Sequence, residues 1–301
     1  MHYQVAWIKG GYSVNFEHIL YEKKDYIARV TLNHPDRLNA LCPDISNELS
    51  KAIAEVNHDD EVKVVIFKAA GRAFCAGADL TQVGFVYGWK EPKPGEKSRK
   101  PSIRARLHFD KLTFFDQCQE LLLCQKITIA QAHGYLLGAG LNLFMNCDLI
   151  IASEDCKFGH VEERLGLAGA TITPMMILRC GFTKAMELCI TGKMIDAKEA
   201  LEAGLVNRVY PPDKLQEEVN DLAKGLAKYP KDGIALGKVS RHLVYDMMGI
   251  TKGLTHSYVM HTLQTNITFE PDEFNFFKER RDQGVKDAAH GKHDFYKELD
   301  K

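Results

Sequence analysis

The sequence predicts an α/β fold with mainly parallel strands, followed by an all-helical C-terminal region. Three observations carry this reading. Short apolar runs alternate with helical periodicities over residues 16–200, the pattern turns wholly helical from Asp213 onward, and the one long uncharged stretch is broken by glycines.

In chain order, residues 27–32 alternate as a half-buried strand that His34-Pro35-Asp36 ends. Asp44 reads as the N-cap of a helix whose apolar positions Ile45, Leu49, Ile53 and Val56 recur at helical spacing. Val64-Val65-Ile66-Phe67 reads as a strand buried on both faces, followed by Gly71 and the small-residue run Ala76-Gly77-Ala78. Residues 127–130 and 149–152 are two further strands. Residues 127–147 carry no formal charge over about the length of a membrane span. They hold Gln131, His133, Asn142 and Asn146 and are interrupted by Gly134, Gly138 and Gly140, so a buried strand, a turn and a helix start fit better. A soluble protein is expected.

In the tail, Leu215, Val219, Leu222 and Leu226 form one helical stripe, and Leu236, Val239, Leu243 and Val244 form another. Residues 253–277 read as helical with a break at Pro271, their apolar stripe calling for cover by a neighbouring chain. The expected division is an α/β core over residues 1–200 that carries the site, and a helical assembly region over residues 201–301.

Composition narrows the function. The 301 residues carry 39 Lys plus Arg against 40 Asp plus Glu, so no global charge draws the chain to nucleic acid or to an anionic membrane. The eight cysteines include no Cys-x-x-Cys pair, which suits a reducing compartment, and no Cys/His spacing suggests a metal site. The first residues lack the pattern of a secretion signal or transit peptide, so a cytoplasmic location is expected. Residues 87–106 form a basic, Pro- and Gly-rich stretch, with Arg104 and Arg106 at its end. It reads either as a solvated insertion or as a lid that meets an anionic group.

Three segments can carry chemistry: residues 73–80 (Ala-Phe-Cys-Ala-Gly-Ala-Asp-Leu), 133–142 (His-Gly-Tyr-Leu-Leu-Gly-Ala-Gly-Leu-Asn) and 158–166 (Phe-Gly-His-Val-Glu-Glu-Arg-Leu-Gly). Small residues after a buried strand, and the start of a helix, leave backbone N–H groups free to point at a ligand. Two such donors aimed at one oxygen make an oxyanion hole.

With these segments the sequence resembles the enoyl-CoA hydratase/isomerase, or crotonase, superfamily. The resemblance extends to residues 32–41 (Leu-Asn-His-Pro-Asp-Arg-Leu-Asn-Ala-Leu), 147–152, 188–192 and 200–206, and so covers nearly the whole chain. It implies a crotonase-like spiral of ββα turns with a C-terminal helical region, assembled as a homotrimer or as a hexamer built from two trimers. It also implies an acyl-CoA thioester as substrate, with CoA part of the substrate and no separate cofactor. By position, Ala78 and Ala139 resemble the residues whose N–H groups hold the thioester oxygen through an enolate. Loss of one such donor removes about 3 kcal/mol of transition-state stabilisation. The resemblance places Arg37 near the CoA phosphates, Ala76, Asp79, Leu80 and Thr81 along the CoA site, and Lys292 towards a CoA phosphate in a neighbouring subunit.

The acids bear on the reaction. Hydratases of the family use two glutamates flanking a water. The second is matched by Glu162, the first is replaced by Asn142, and Glu163 reads as structural or solvent-facing. A structural ion pair between Glu162 and Arg164 is the plain alternative. Residues 167–174 depart from the Pro-Gly-Ala-Gly-Gly turn that helps many members position the water. His160 reads as a hydrogen-bonded structural histidine. Hydration of an enoyl-CoA, with a bulky, cyclic or aromatic acyl group hinted at by Phe85, Tyr87 and Trp89, is the first expectation. Double-bond isomerisation, a single-glutamate hydratase/lyase and ring-opening hydrolysis remain alternatives, as does an RNA-binding protein of the same fold. A serine protease is not favoured, since no Gly-x-Ser-x-Gly elbow occurs.

Overall fold

The computed structural model describes residues 16–82, 101–170, 172–264 and 266–300. The chain enters as an antiparallel hairpin, β1 (Ile19–Lys24) and β2 (Ile27–Leu32). Helix α1 (Pro43–His58) leads to β3 (Val64–Ala69). Helices α2 (Ile103–Asp110) and α3 (Asp116–Leu122) follow, joined without a break by a π-helical turn, Lys111–Phe115. Next come β4 (Ile127–Ala132), β5 (Tyr135–Leu137), α4 (Gly138–Phe144), β6 (Leu149–Ser153) and β7 (Lys157–Gly159). A 3-10 turn, Val161–Leu165, precedes α5 (Pro174–Thr191), β8 (Met194–Asp196), α6 (Ala197–Glu202) and β9 (Arg208–Tyr210). The remainder is helical: α7 (Leu215–Leu226), α8 (Lys231–Met247), α9 (Ile250–Gln264), α10 (Phe276–Gln283) and α11 (Val285–Phe295).

The strands form a six-stranded sheet in the order β1-β2-β3-β4-β6-β9, parallel except for β1, and a small sheet of β5, β7 and β8. The chain winds between them. Each pass lays one strand in the large sheet, then a short extended segment in the small layer, then a helix. In the first two passes the short segments are single bridges, Leu41 to Ala78 and Cys75 to Leu136; in the next two they are β5 and β7. This is the spiral of ββα turns with a helical C-terminal region that the resemblance implied.

The Val-Val-Ile-Phe run of β3 is buried on both faces because the sheet is covered twice. Val30, Val65, Phe67, Ala130 and Ile150 point into the main core beneath α1 and α3. Ile27, Val64, Ile66, Ile129 and Ile151 face the other way, against Leu215, Val219 and Ala223 of α7. The stripe read at 215–226 therefore serves the sheet directly, and the 200/201 division runs through α6.

Some local expectations change. Asp44 is not a cap: Cys42 holds that position with no side-chain bond and Pro43 opens the helix, since proline has no N–H to leave unpaired. Asp44 sits in the first turn, where its charge still suits the helix dipole. The end of the basic stretch is ordered as the first turn of α2. Arg106 is buried and donates to Oδ1 of Asn266 at 3.1 Å. Phe85, Tyr87, Trp89 and residues 87–100 lie outside the described residues. The helix expected over 253–277 ends at Gln264 and resumes at Phe276.

A buried ion pair ties the C-terminal helices to the sheet. Asp148, at the foot of β6, accepts from the Thr128 N–H at 2.8 Å and from Nζ of Lys238 at 2.8 and 2.9 Å. Lys238 on α8 is 1% exposed, whereas Arg241, also bound to Asp148 at 2.8 Å, is 40% exposed. Removing one partner of a buried pair strands the other charge, at a cost of about 3–5 kcal/mol, while an exposed arm contributes about 1 kcal/mol or less. Lys238→Met is therefore expected to lower unfolding free energy by about 3 kcal/mol, and Arg241→Ala to lower it by under about 1 kcal/mol. Urea titration followed by circular dichroism compares the two; equal losses would contradict this assignment.

Candidate active site

The winding brings the second and third passes into contact. The Cys75 N–H donates to the Tyr135 carbonyl at 2.9 Å, and the Leu137 N–H returns to the Cys75 carbonyl at 3.0 Å. On the other side, the Leu41 N–H donates to the Gly77 carbonyl at 2.7 Å and the Asp79 N–H to the Leu41 carbonyl at 2.9 Å. Ala78 lies between those two bonds and its own N–H makes neither. Ala139 is the second residue of α4, so its N–H precedes the first helical acceptor, and the N-cap Leu137 offers no side-chain bond.

Two glycines permit this approach. A Cβ on Gly140 would stand 2.5 Å from Sγ of Cys75, so α4 can press against the 75–78 segment only with a bare Cα there. A Cβ on Gly138, whose φ is +52°, would stand 2.8 Å from Oε2 of Glu162. That glycine therefore lets the carboxylate lie against the start of α4, next to Ala139.

A cavity of about 140 Å³ opens here. Ala76, Gly77, Ala78, Leu80, Gly138, Ala139 and Asn142 line it, and Val161, Glu162, Leu165 and Leu167 face them from the 3-10 turn and beyond. Four expected catalytic positions, Ala78, Ala139, Asn142 and Glu162, thus meet in one space. Oε2 of Glu162 and Oδ1 of Asn142 are buried there with no protein partner among the described residues.

The surroundings of Glu162 sort the charged residues. Oε1 lies 3.6 Å from Nδ1 of His160, which is fully buried. Burial lowers the His160 imidazole below its ordinary value, with the Glu162 charge opposing. Glu163 is buried and structural, its Oε2 accepting the Gly169 N–H at 2.8 Å and so fixing the turn after the 3-10 segment. Arg164 does not pair with Glu162. It donates from Nε to the Thr191 carbonyl at 3.0 Å and binds Asp300 through both Nη atoms. His160, Glu163 and Cys189 bring ligand-type atoms within 4.8 Å of one another, all buried. Glu163 is already engaged and burial pushes the Cys189 thiol upward, so the cluster reads as packing.

The expected CoA residues divide. Ala76 and Leu80 line the cavity. Arg37, Asp79 and Thr81 form their own cluster beyond its lining: Nη1 of Arg37 lies 3.1 Å from Oγ1 of Thr81 and 3.8 Å from Asp79, which also accepts the Thr81 N–H at 2.9 Å. Within its own chain Lys292 is 3% exposed, lining the cavity and donating to the Val161 carbonyl at 3.1 Å. The α11 helix folds back over the 3-10 turn, and the Arg164–Asp300 pair holds it there.

The fourth wall was not read from the sequence. Phe114 and Phe115 from the π turn and Ser257 and His261 from α9 complete the cavity. Ser257 and His261 are four apart on one helix, a spacing visible in the sequence. Nothing in the sequence connects that helix to the cavity.

Comparison with known proteins decides the family. The profile described as Enoyl-CoA hydratase/isomerase matches residues 22–287. The chain belongs to the enoyl-CoA hydratase/isomerase family. Among its relatives, the EchA13 protein of Mycobacterium tuberculosis, provisionally named an enoyl-CoA hydratase, is 36% identical over 261 residues, covering 82% of this chain and 80% of that protein. The mitochondrial enoyl-CoA hydratase of Pongo abelii is 32% identical over 246 residues, covering 80% and 79%. A crystal structure of an enoyl-CoA hydratase/isomerase from Xanthobacter autotrophicus Py2 superposes with a TM-score of 0.77 at 28% identity, over 92% of this chain and 98% of that one. Among the described residues of this family member, no helix is long and apolar enough to cross a membrane.

Lys292 gives the site a pH signature. Burial, with Arg164 adding and Glu162 opposing, pushes its ammonium down from 10.5 to about 8. Between pH 8 and 10.5 the unfolded chain then holds a proton that the folded one has released, so this residue makes stability rise with pH across that window. Lys292→Met is expected to lack that rise: urea midpoints of parent and variant, taken at pH 8 and pH 10, should show a parent-specific gain at the higher pH. A parallel response in both proteins would contradict it.

Proposed function

We propose that the protein adds water across the α,β double bond of an enoyl-CoA thioester. The observation that carries this is the meeting of Ala78, Ala139, Asn142 and Glu162 in the lining of one cavity. The thioester oxygen lies between the N–H groups of Ala78 and Ala139, which are fixed before reaction and meet the enolate charge without reorganisation. Glu162, held against Gly138, is placed beside the α-carbon and moves a proton there. Asn142 can donate and accept but does not exchange a proton at neutral pH as a carboxylate does, so it orients water or substrate.

The remaining lining residues bear on substrate choice. Phe114, Phe115, Leu165 and Leu167 offer an apolar acyl pocket that suits a bulky, cyclic or aromatic group. Arg37, with Asp79 and Thr81 beside the Ala76 and Leu80 rim, is assigned to the CoA moiety, which enters as part of the substrate. Double-bond isomerisation is the second reading, favoured by Glu162 being the one carboxylate among the described residues that line the cavity. Eight free thiols, seven of them buried, suit a reducing compartment such as the cytoplasm.

Assembly as a trimer, or a hexamer of two trimers, is part of the proposal. The apolar surface in need of cover lies on α8 more than on the stretch expected to carry it. Leu236 is 72% exposed, Leu243 60% and Met247 84%, while α9 turns Ile250 and Leu254 inward.

Two outcomes are expected. Glu162→Gln should lower turnover on enoyl-CoA thioesters by about a hundredfold or more, while thioester binding, read by fluorescence quenching, stays within about tenfold because the oxyanion donors are untouched. Parent-level turnover would remove Glu162 from the mechanism. Light scattering at micromolar concentration should give the mass of a trimer or hexamer; a monomer would refute the assembly.

A further inference from the structure

With Asn142 where a second acid would stand, the described lining of the cavity holds no second carboxylate to take a proton from the attacking water. The cavity offers another group on its far wall. His261 lines it one helical turn from Ser257, with its Nδ1 3.3 Å from Oδ2 of Asp110, an ion-pair approach without hydrogen-bond geometry that becomes a charge pair when the imidazole takes a proton. Asp110 is fully buried and also accepts from Oγ1 of Thr262 at 2.7 Å, so the carboxylate is fixed rather than free to swing. The ring centroids of Phe114 and Phe115 stand 5.6 and 5.8 Å from that of the imidazole. Asp110 ends α2 where the π turn begins, and the wider turn sets the adjacent residues Phe114 and Phe115 both on the cavity side.

We propose that His261, oriented by Asp110, is the second proton-transfer group of this site, acting on the water that attacks the β-carbon. The inference rests on the acyl-CoA reading above. Nδ1 faces the carboxylate, so the proposal assigns the proton transfer to Nε2. Glu162 sits at the oxyanion end, beside the α-carbon, and His261 comes from a separate helix on another wall, so the two divide the reaction by position.

As the water oxygen bonds to the β-carbon, Nε2 takes one of its protons. The π pair shifts towards the carbonyl to form the enolate held by Ala78 and Ala139. Glu162 takes a proton from solvent and delivers it to the α-carbon as the enolate collapses, returning to the carboxylate. The imidazolium, one third exposed, gives its proton to solvent, so the net change is one water added. Asp110 touches no reacting atom and is a positioning residue.

The test separates the two ends of the reaction in the full-length protein. Exchange of the α-hydrogens of butyryl-CoA in deuterium oxide, followed by mass spectrometry, needs Glu162 and the oxyanion donors but no attacking water. Hydration of crotonyl-CoA and cinnamoyl-CoA needs both ends. His261→Gln is expected to lower hydration kcat by about a hundredfold or more and to leave α-exchange within about threefold of the parent. Asp110→Asn is expected to lower hydration kcat by about tenfold, within the range of positioning effects, with KM and exchange unchanged.

Hydration by His261→Gln that falls by less than about tenfold, below the general range for a proton-transfer group, would overturn the proposal. So would joint loss of exchange and hydration, which would make His261 a packing residue. A parent that exchanges but hydrates neither thioester would also overturn it. A parent that does neither would overturn the acyl-CoA reading itself, and this inference with it.

Discussion

The close approach of residues 75–78 to the start of α4 is the contact on which the site depends. One strand bridge, from Cys75 to Leu136, locks two successive passes of the spiral together. The absence of a side chain at Gly140 lets them touch at Cys75. Both candidate oxyanion donors are backbone atoms, so no side-chain rotamer can restore their geometry if this contact opens. Burial pushes the Cys75 thiol up to about 12, which keeps it protonated at neutral pH and leaves it to act as a packing atom.

Much of this was legible in the residues, for physical reasons that differ along the chain. Val64 to Phe67 lack any polar face, and such a run needs cover on both sides. The Leu215 and Val219 stripe identified a helix, though not that it would be the second cover for that sheet. The segments around Ala78, Ala139 and Glu162 were readable because small residues beside buried strands are unusual and occur in order. Their meeting was supplied by the resemblance rather than by periodicity.

What stayed hidden was settled by long-range packing. The resemblance directs Lys292 to a CoA phosphate, and no pattern in the sequence shows that α11 folds back and buries it beside Glu162. Asp110 and His261 belong to segments with no shared pattern, and their helices meet only because α2 and the π turn pack along α9. Asp44 shows the local version of the same limit: a good capping residue stands one position inside a helix that a proline had already begun. The exposed leucines of α8 stand opposite an inner face whose buried lysine is held by Asp148, so one helix carries both an intrachain anchor and an apolar surface exposed in the single chain.

The way α11 returns to the 3-10 turn has a consequence for how the molecule is made. Chain synthesis delivers the 75–78 segment, α4 and Glu162 well before α9 and α11. A nascent chain that has reached α5 already holds the donors and the carboxylate, yet it has neither His261 nor Lys292 to close the cavity. Residue 300 must emerge before Arg164 finds its carboxylate partner. The oldest part of each molecule therefore waits for the youngest, and a chain released early would leave the cavity without the lining that α9 and α11 supply.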